Sequence, residues 1–400
     1  PPMTDQSITR RNIGVLTAAQ ALGGASAPIV MSLGGLVGQQ LAKDSAWITL
    51  PVSLFGLGLA IGTLPAAFIM RHHGRRNGYV VGVGFGVASG LIAALGIMLA
   101  SFWIFCAGTF LAGFYGAYVQ SYRFAAADTA EDALKAKAIS WVMVGGLAGA
   151  IIGPQLVIFT RDAVAGTPYV GSFLSQALLP LIALPILLML RTPSQTQAEA
   201  DADSGRTVLQ LLAMPRYLLA VAAGVVSYGV MAFVMTAAPV AMVNHGHSVD
   251  NAALGIQWHL LAMFGPSFFT GRLMVRYGKE RVTAVGMVLL AASGVVALGG
   301  LGLSHFWGSL ALLGIGWNFS FIGATAVVTD CHTPAERSKA QGMNDFFVFA
   351  ATAAVSFLAG SILHSSGWQA VNWMIFPALA LILVPLLWQT ARKPVRLGPG

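Results

Sequence analysis

The chain has 400 residues, 56% of them hydrophobic and only 9% charged, with a formal net charge of +8. Soluble globules carry a charged fraction of about 25%, so this composition excludes one and describes an integral membrane protein. The positive balance does not imply a nucleic-acid partner, because the basic residues build no surface interleaved with aromatic ones.

Apolar runs of about 20 residues read as membrane spans. The first run, from about 12 to 42, is too long for a cleavable signal peptide and lacks a cleavage site, so it reads as a signal anchor. Pro1 and Pro2 before Met3 read as an expression remnant within an N-terminal tail, 1–12. Spans are predicted at 13–41, 47–70, 78–100, 102–125, 138–160 and 170–190. A polar linker follows at 191–215, containing Gln197-Ala-Glu-Ala-Asp-Ala-Asp-Ser-Gly205, too hydrophilic to insert and too acidic to pack. Six more spans are predicted at 217–243, 252–275, 282–303, 306–329, 341–363 and 368–390, before a C-terminal tail, 391–400. The expected fold class is an all-α polytopic membrane protein with 12 transmembrane helices in two six-helix pseudo-repeat bundles, 13–190 and 216–390.

Two features support that count. Every Lys and Arg except Lys43 and Arg161 falls on the side of the termini, which the positive-inside rule makes cytoplasmic. Asp128-Thr-Ala-Glu-Asp-Ala-Leu-Lys-Ala-Lys137 parallels Asp330-Cys-His-Thr-Pro-Ala-Glu-Arg-Ser-Lys339, and His72-His-Gly-Arg75 parallels Arg276-Tyr-Gly-Lys279, as in a parallel repeat. Cys106 and Cys331 fall near opposite membrane faces in this topology and read as packing residues.

Two i, i+4 pairs stand out between Tyr228 and Met263: Met231 with Met235, and His259 with Met263. On helices each pair shares one face, roughly 6 Å apart along the axis, and the two pairs fall at matching depths on successive spans. Thioethers and a neutral imidazole suit Cu(I) and suit Mg²⁺, Ca²⁺ or Mn²⁺ poorly. The alternative is that methionine fills gaps between helices and His259 bonds a neighbouring helix.

The loop Ala67-Phe-Ile-Met-Arg71-His-His-Gly74-Arg75-Arg76 resembles the pattern between helices 2 and 3 of the major facilitator superfamily. Arg71 stands where that family has an acid, and the second copy, Gly271 to Lys279, has Val275 there, so both copies lack the acid with which the motif makes its charge pairing to neighbouring helices in other members. The resemblance covers the whole chain and implies transport by alternating access. The paired motifs further resemble those of the CcoA-type copper importers of proteobacteria, whose closest sibling group transports riboflavin. That resemblance implies a Cu(I) importer of the bacterial inner membrane, supplying cbb3-type cytochrome oxidase, with Met231, Met235, His259 and Met263 as metal ligands. It implies no cofactor, no enzymatic step, a monomer in the lipid bilayer with no nucleic-acid partner, and a cytoplasmic copper acceptor. Transport of riboflavin or another small organic solute, or drug efflux, is the alternative.

Other residues have weaker readings. Asp345 reads as a helix cap or loop partner ahead of a proton-coupling acid, and Arg123 as a snorkelling or gating charge. Met242, His245 and His247 border an outer turn, as solvated residues or a copper-collecting trio. Gln20, Gln120, Gln257, Trp258, Trp317 and Asn318 are the amides and aromatic faces a flavin would need.

Overall fold

The computed structural model describes residues 5–128, 135–191, 205–333 and 336–392, and no strand occurs among them. Linker residues 192–204, the loop 129–134 and the ends of both tails lie outside the described residues, as do the side chains of Arg71, Lys135 and Lys137.

The chain folds as α1 (Asp5–Gly23), α2 (Ser26–Leu41), α3 (Leu50–Met98), α4 (Phe102–Gln120), α5 (Tyr122–Asp128), α6 (Lys135–Thr160) and α7 (Val170–Leu188). It continues as α8 (Val208–Leu212), α9 (Pro215–Asn244), α10 (Val249–Phe264), α11 (Ser267–Tyr277), α12 (Lys279–Leu298), α13 (Leu303–Asp330) and α14 (Arg337–Arg392). Among the described residues, ten helical stretches are long and apolar enough to cross a membrane. The difference from twelve has two causes. The stretch Ala340–Gln389 is 50 residues long and turns back at Gly367, whose φ of 78° and ψ of 178° are non-helical. The predicted span 252–275 is broken into α10 and α11 at Gly265-Pro266, so neither piece is long enough alone.

The two copies of the loop motif share one backbone conformation. Gly74 has φ 80° and ψ 155°, and Gly278 has φ 92° and ψ 147°. Only glycine adopts this region without a steric penalty, so each copy uses its glycine to turn the chain from one span into the next. In the second copy, charge pairing occurs without the acid at the position of Val275. Lys279 Nζ lies 2.6 Å from Asp330 Oδ1, and Arg216 Nη2 lies 2.9 Å from Glu280 Oε1 and 3.4 Å from Asp330 Oδ2. The acids are Glu280, after the glycine, and Asp330, at the end of α13, while Val275 is exposed.

By its contacts the chain divides into two compact units, one of residues 1–196 with 242–257, the other of 197–241 with 258–400. In the first, α3 packs along α4 and α7, and α1 along α6. Residues 242–257 are tied to that unit by Gln39 Nε2 to Asn244 Oδ1 at 3.1 Å, Gln155 Nε2 to Gln257 Oε1 at 2.9 Å, and an Arg161–Asp250 ion pair. In the second, α12 packs along α13 and α14. The short α8 begins inside the stretch read as linker. It is started by a capping box in which the Thr207 hydroxyl accepts from the Gln210 N–H and the Gln210 side chain accepts from the Thr207 N–H. Its Leu211 is buried with Tyr217, Val327, Val328 and Cys331.

Candidate functional site

The four residues of the paired motifs are all buried. Met231 and Met235 are 2% and 6% exposed on α9, His259 is 0% and Met263 7% on α10. Beside Met235, the Thr236 hydroxyl donates to Ser356 Oγ of α14 at 3.2 Å, so this part of α9 is laced to a neighbouring helix. The Nδ1 of His259 lies 2.9 Å from the Leu310 carbonyl of α13. A carbonyl only accepts, so Nδ1 carries the proton and the neutral ring keeps its lone pair on Nε2, which has no protein partner. Close passage of α10 over α13 sets this geometry. Gly314 faces the His259 carbonyl and the Met263 N–H at a distance that leaves no room for a Cβ.

Adjacent turns of α13 and the facing parts of α9 and α14 bring four rings together within the second unit. Tyr228 is at the centre, edge-on to Trp317 at 5.5 Å, to Phe321 at 5.1 Å and to Phe349 at 5.7 Å between ring centroids. Trp317 and Phe321, one turn apart on α13, are stacked at 5.0 Å with an interplanar angle of 19°. Trp317 is buried and its indole N–H has no partner, whereas Tyr228, Phe321 and Phe349 are half-buried. One turn before Tyr228, Gly224 borders the Asn344 amide and the edge of Phe321. The Asn344 Nδ2 donates to Asp345 Oδ1 at 3.1 Å.

The amides and aromatics expected to suit a flavin therefore divide. Trp317 belongs to this cluster. Asn318, its neighbour in sequence, is spent on the break between α10 and α11: its Nδ2 donates to the Met263 carbonyl at 2.7 Å and to Ser267 Oγ at 2.8 Å, and its Oδ1 accepts from Thr270 Oγ1 at 2.6 Å. Gln257 is engaged with Gln155. Trp258 is exposed, with its ring 6.5 Å from that of Trp307. Gln20 is half-buried beside Gly24 in the first unit, and Gln120 is exposed at the end of α4. Tyr228, Phe321 and Phe349 were missed by sequence reasoning. Their only local signal is the i, i+4 spacing of Trp317 and Phe321.

Asp345 is exposed and Arg123 half-buried. Met242 is fully buried while His245 is exposed in the turn after α9, so the three residues of that turn do not present one set of donors. Among the described residues, no group of three or more His, Cys, Asp or Glu side chains could hold a metal ion. A second unforeseen feature lies outside the spans. Arg206 donates from its backbone N–H and its Nε to Glu336 Oε1, both at 2.8 Å, from Nη2 to Glu336 Oε2 at 2.7 Å, and from Nη2 to the Cys331 carbonyl at 3.0 Å. The guanidinium, helped by the Thr333 N–H, holds the Glu336 carboxyl well below the usual range.

Comparison with known proteins extends these observations. The family model described as Major Facilitator Superfamily matches residues 13–294 and 220–400. The riboflavin transporter RfnT of Brucella anthropi is 65% identical over 392 residues, covering 98% of this chain and 98% of that protein. The uncharacterized MFS-type transporter YdeG of Bacillus subtilis is 30% identical over 98% of this chain and 94% of its own length. Among solved structures, a point mutant of the nucleoside transporter NupG aligns with a TM-score of 0.75 at 14% identity, over 95% of this chain and 99% of that one. A second NupG structure, without the mutation, aligns with a TM-score of 0.65, also at 14% identity, over 98% of this chain and 100% of that one. These last likenesses bear on the fold alone. The relative at 65% identity corrects the copper expectation, and with it copper as the transported partner and a cytoplasmic copper acceptor. The physical reason is that Met-x-x-x-Met and His-x-x-x-Met spacings serve helix packing as readily as ligation, and burial accompanies both.

Proposed function

Since the chain belongs to the major facilitator superfamily, we propose that it carries a small organic solute across a bacterial inner membrane and that this solute is riboflavin. The observation that carries the reading is the 65% identity, end to end, with a protein named as a riboflavin transporter. Substrate chemistry agrees with the interior of the second unit, where aromatic faces stand next to an unpaired indole donor. Flat heteroaromatic rings are held by such faces, with a few polar groups fixing orientation. Transport requires no bond to be made or broken, and we assign the chain no enzymatic step. Import is the direction we assign, with the termini and the linker in the cytoplasm.

The test is uptake in a riboflavin-auxotrophic bacterium that lacks its own importer. Expression of this chain is expected to restore growth at low external riboflavin and to accumulate labelled riboflavin well above an empty-vector strain. A correctly inserted protein that does neither would remove riboflavin as the substrate.

A further inference from the structure

We propose that Tyr228, Trp317, Phe321 and Phe349 form the wall that receives the flat ring system of the substrate, with the Trp317 indole N–H donating to a ring carbonyl. The proposal rests on the riboflavin reading and adds to it the residues that recognise the ring.

Four observations carry it. The first is exposure. A ring pair that serves only as core, Phe105 with Phe173, has centroids 5.2 Å apart and is fully buried. Rings on the outer surface of the spans, such as Trp103 and Trp373, are more than half exposed. The Tyr228 cluster lies between these, with three rings partly uncovered around a buried fourth, and it differs from the similar group of Phe85, Phe110, Phe114 and Tyr118 in the first unit in having a donor-only indole at its buried position. The second is the unpaired donor. Trp317 is 7% exposed and its N–H has no partner, and a buried donor without an acceptor is costly. An acceptor brought by a ligand removes that cost only while the ligand is bound.

The third observation is depth. Tyr228 lies near the middle of α9 and Trp317 near the middle of α13, both helices long enough to span a membrane. Polar groups at that depth are expensive and mark substrate pathways, and transporter substrates bind near the bilayer midplane. The fourth is shape. The stacked Trp317 and Phe321 step along one helix, Tyr228 closes the angle edge-on, and Gly224 leaves the neighbouring position without a side chain beside the Asn344 amide. A flavin ring presents an electron-poor face to such a wall and carbonyl oxygens at its rim. The wall contains no cation or carboxylate, so it selects for a neutral, flat heteroaromatic ring and has no means of holding the polyol chain by itself.

Riboflavin fluorescence supplies a binding assay independent of transport, because stacking on indole or phenol rings quenches it. Purified protein in lipid nanodiscs is expected to quench riboflavin on titration, with competition by lumichrome, which keeps the ring and lacks the ribityl chain, and none by ribitol. Trp317→Phe keeps the stacking ring and removes the donor, and is expected to weaken both riboflavin and lumichrome about tenfold, as loss of one hydrogen bond would. Phe321→Leu is expected to weaken them similarly and to reduce maximal quenching. Thermal melts check that both variants keep the fold. If wild type binds riboflavin while both folded variants bind within twofold of it, the wall is not the ring site and the riboflavin reading stands. If wild type binds lumichrome through Trp317 yet neither binds nor transports riboflavin, the ring site stands and the riboflavin reading falls. If wild type binds neither compound, both fall.

Discussion

Glu336 lies between the spans that end at Asp330 and begin at Ala340, and it is 2% exposed. A carboxylate so enclosed persists because Arg206 and the Thr333 N–H supply donors to both of its oxygens. Its pKa is depressed from an ordinary 4.5 by those donors, Arg206 first. A depressed folded-state pKa means stability that is fully present above the unfolded value and lost as pH falls toward the folded one. Glu336→Gln is therefore expected to lower the thermal midpoint by a few degrees, with the gap to wild type constant from pH 8 to about 6 and narrowing only on acidification below about 4.5. A gap that instead widens in acid would show that the ion pair is not its cause. Nothing in the sequence pointed to this pair, since 130 residues separate its members and Arg206 follows directly on an acidic, polar stretch.

Among elements, the break between α10 and α11 shows how one side chain can stand in for helix geometry. Pro266 has no N–H, so the carbonyl four residues earlier loses its helical donor, and the next carbonyl, of Met263, is taken by Asn318 from the adjacent helix. Asn318→Ala is expected to leave that buried Met263 carbonyl without its donor, while the Thr270 hydroxyl keeps the Pro266 carbonyl as acceptor, destabilising the protein by about 1–3 kcal/mol. An unfolding transition followed by tryptophan fluorescence would measure it, and an unshifted midpoint would mean that the break does not depend on Asn318. The dipeptide Gly265-Pro266 is a visible breaker, so this departure from one continuous span was open to sequence reasoning. The spans themselves were legible because twenty apolar residues leave the backbone no choice but a helix in a membrane. The aromatic wall was not, because its rings come from three helices separated by up to 121 positions. The Met and His spacings were legible as spacings only, since ligation and packing place the same residues on the same helical face.

For the whole molecule, the question that composition raises is which side of the membrane each loop faces. Lys43 and Arg161 are the cations that depart from the positive-inside pattern. Arg161 has a structural reason to do so, since it is paired with Asp162 and with Asp250, and the second contact helps to hold residues 242–257 in the first compact unit. The pattern of the other cations is the basis for the orientation we propose, in which the turn after α9 faces outward and the turn at Gly278 faces the cytoplasm. Both native cysteines are buried, so a membrane-impermeant thiol reagent meets a low background. His245 and Arg276 are exposed in those two turns. His245→Cys is expected to label in intact cells, and Arg276→Cys only after permeabilisation. Labelling of Arg276→Cys alone in intact cells would invert the topology and turn the proposed import into export, while leaving the fold and the aromatic wall where they are.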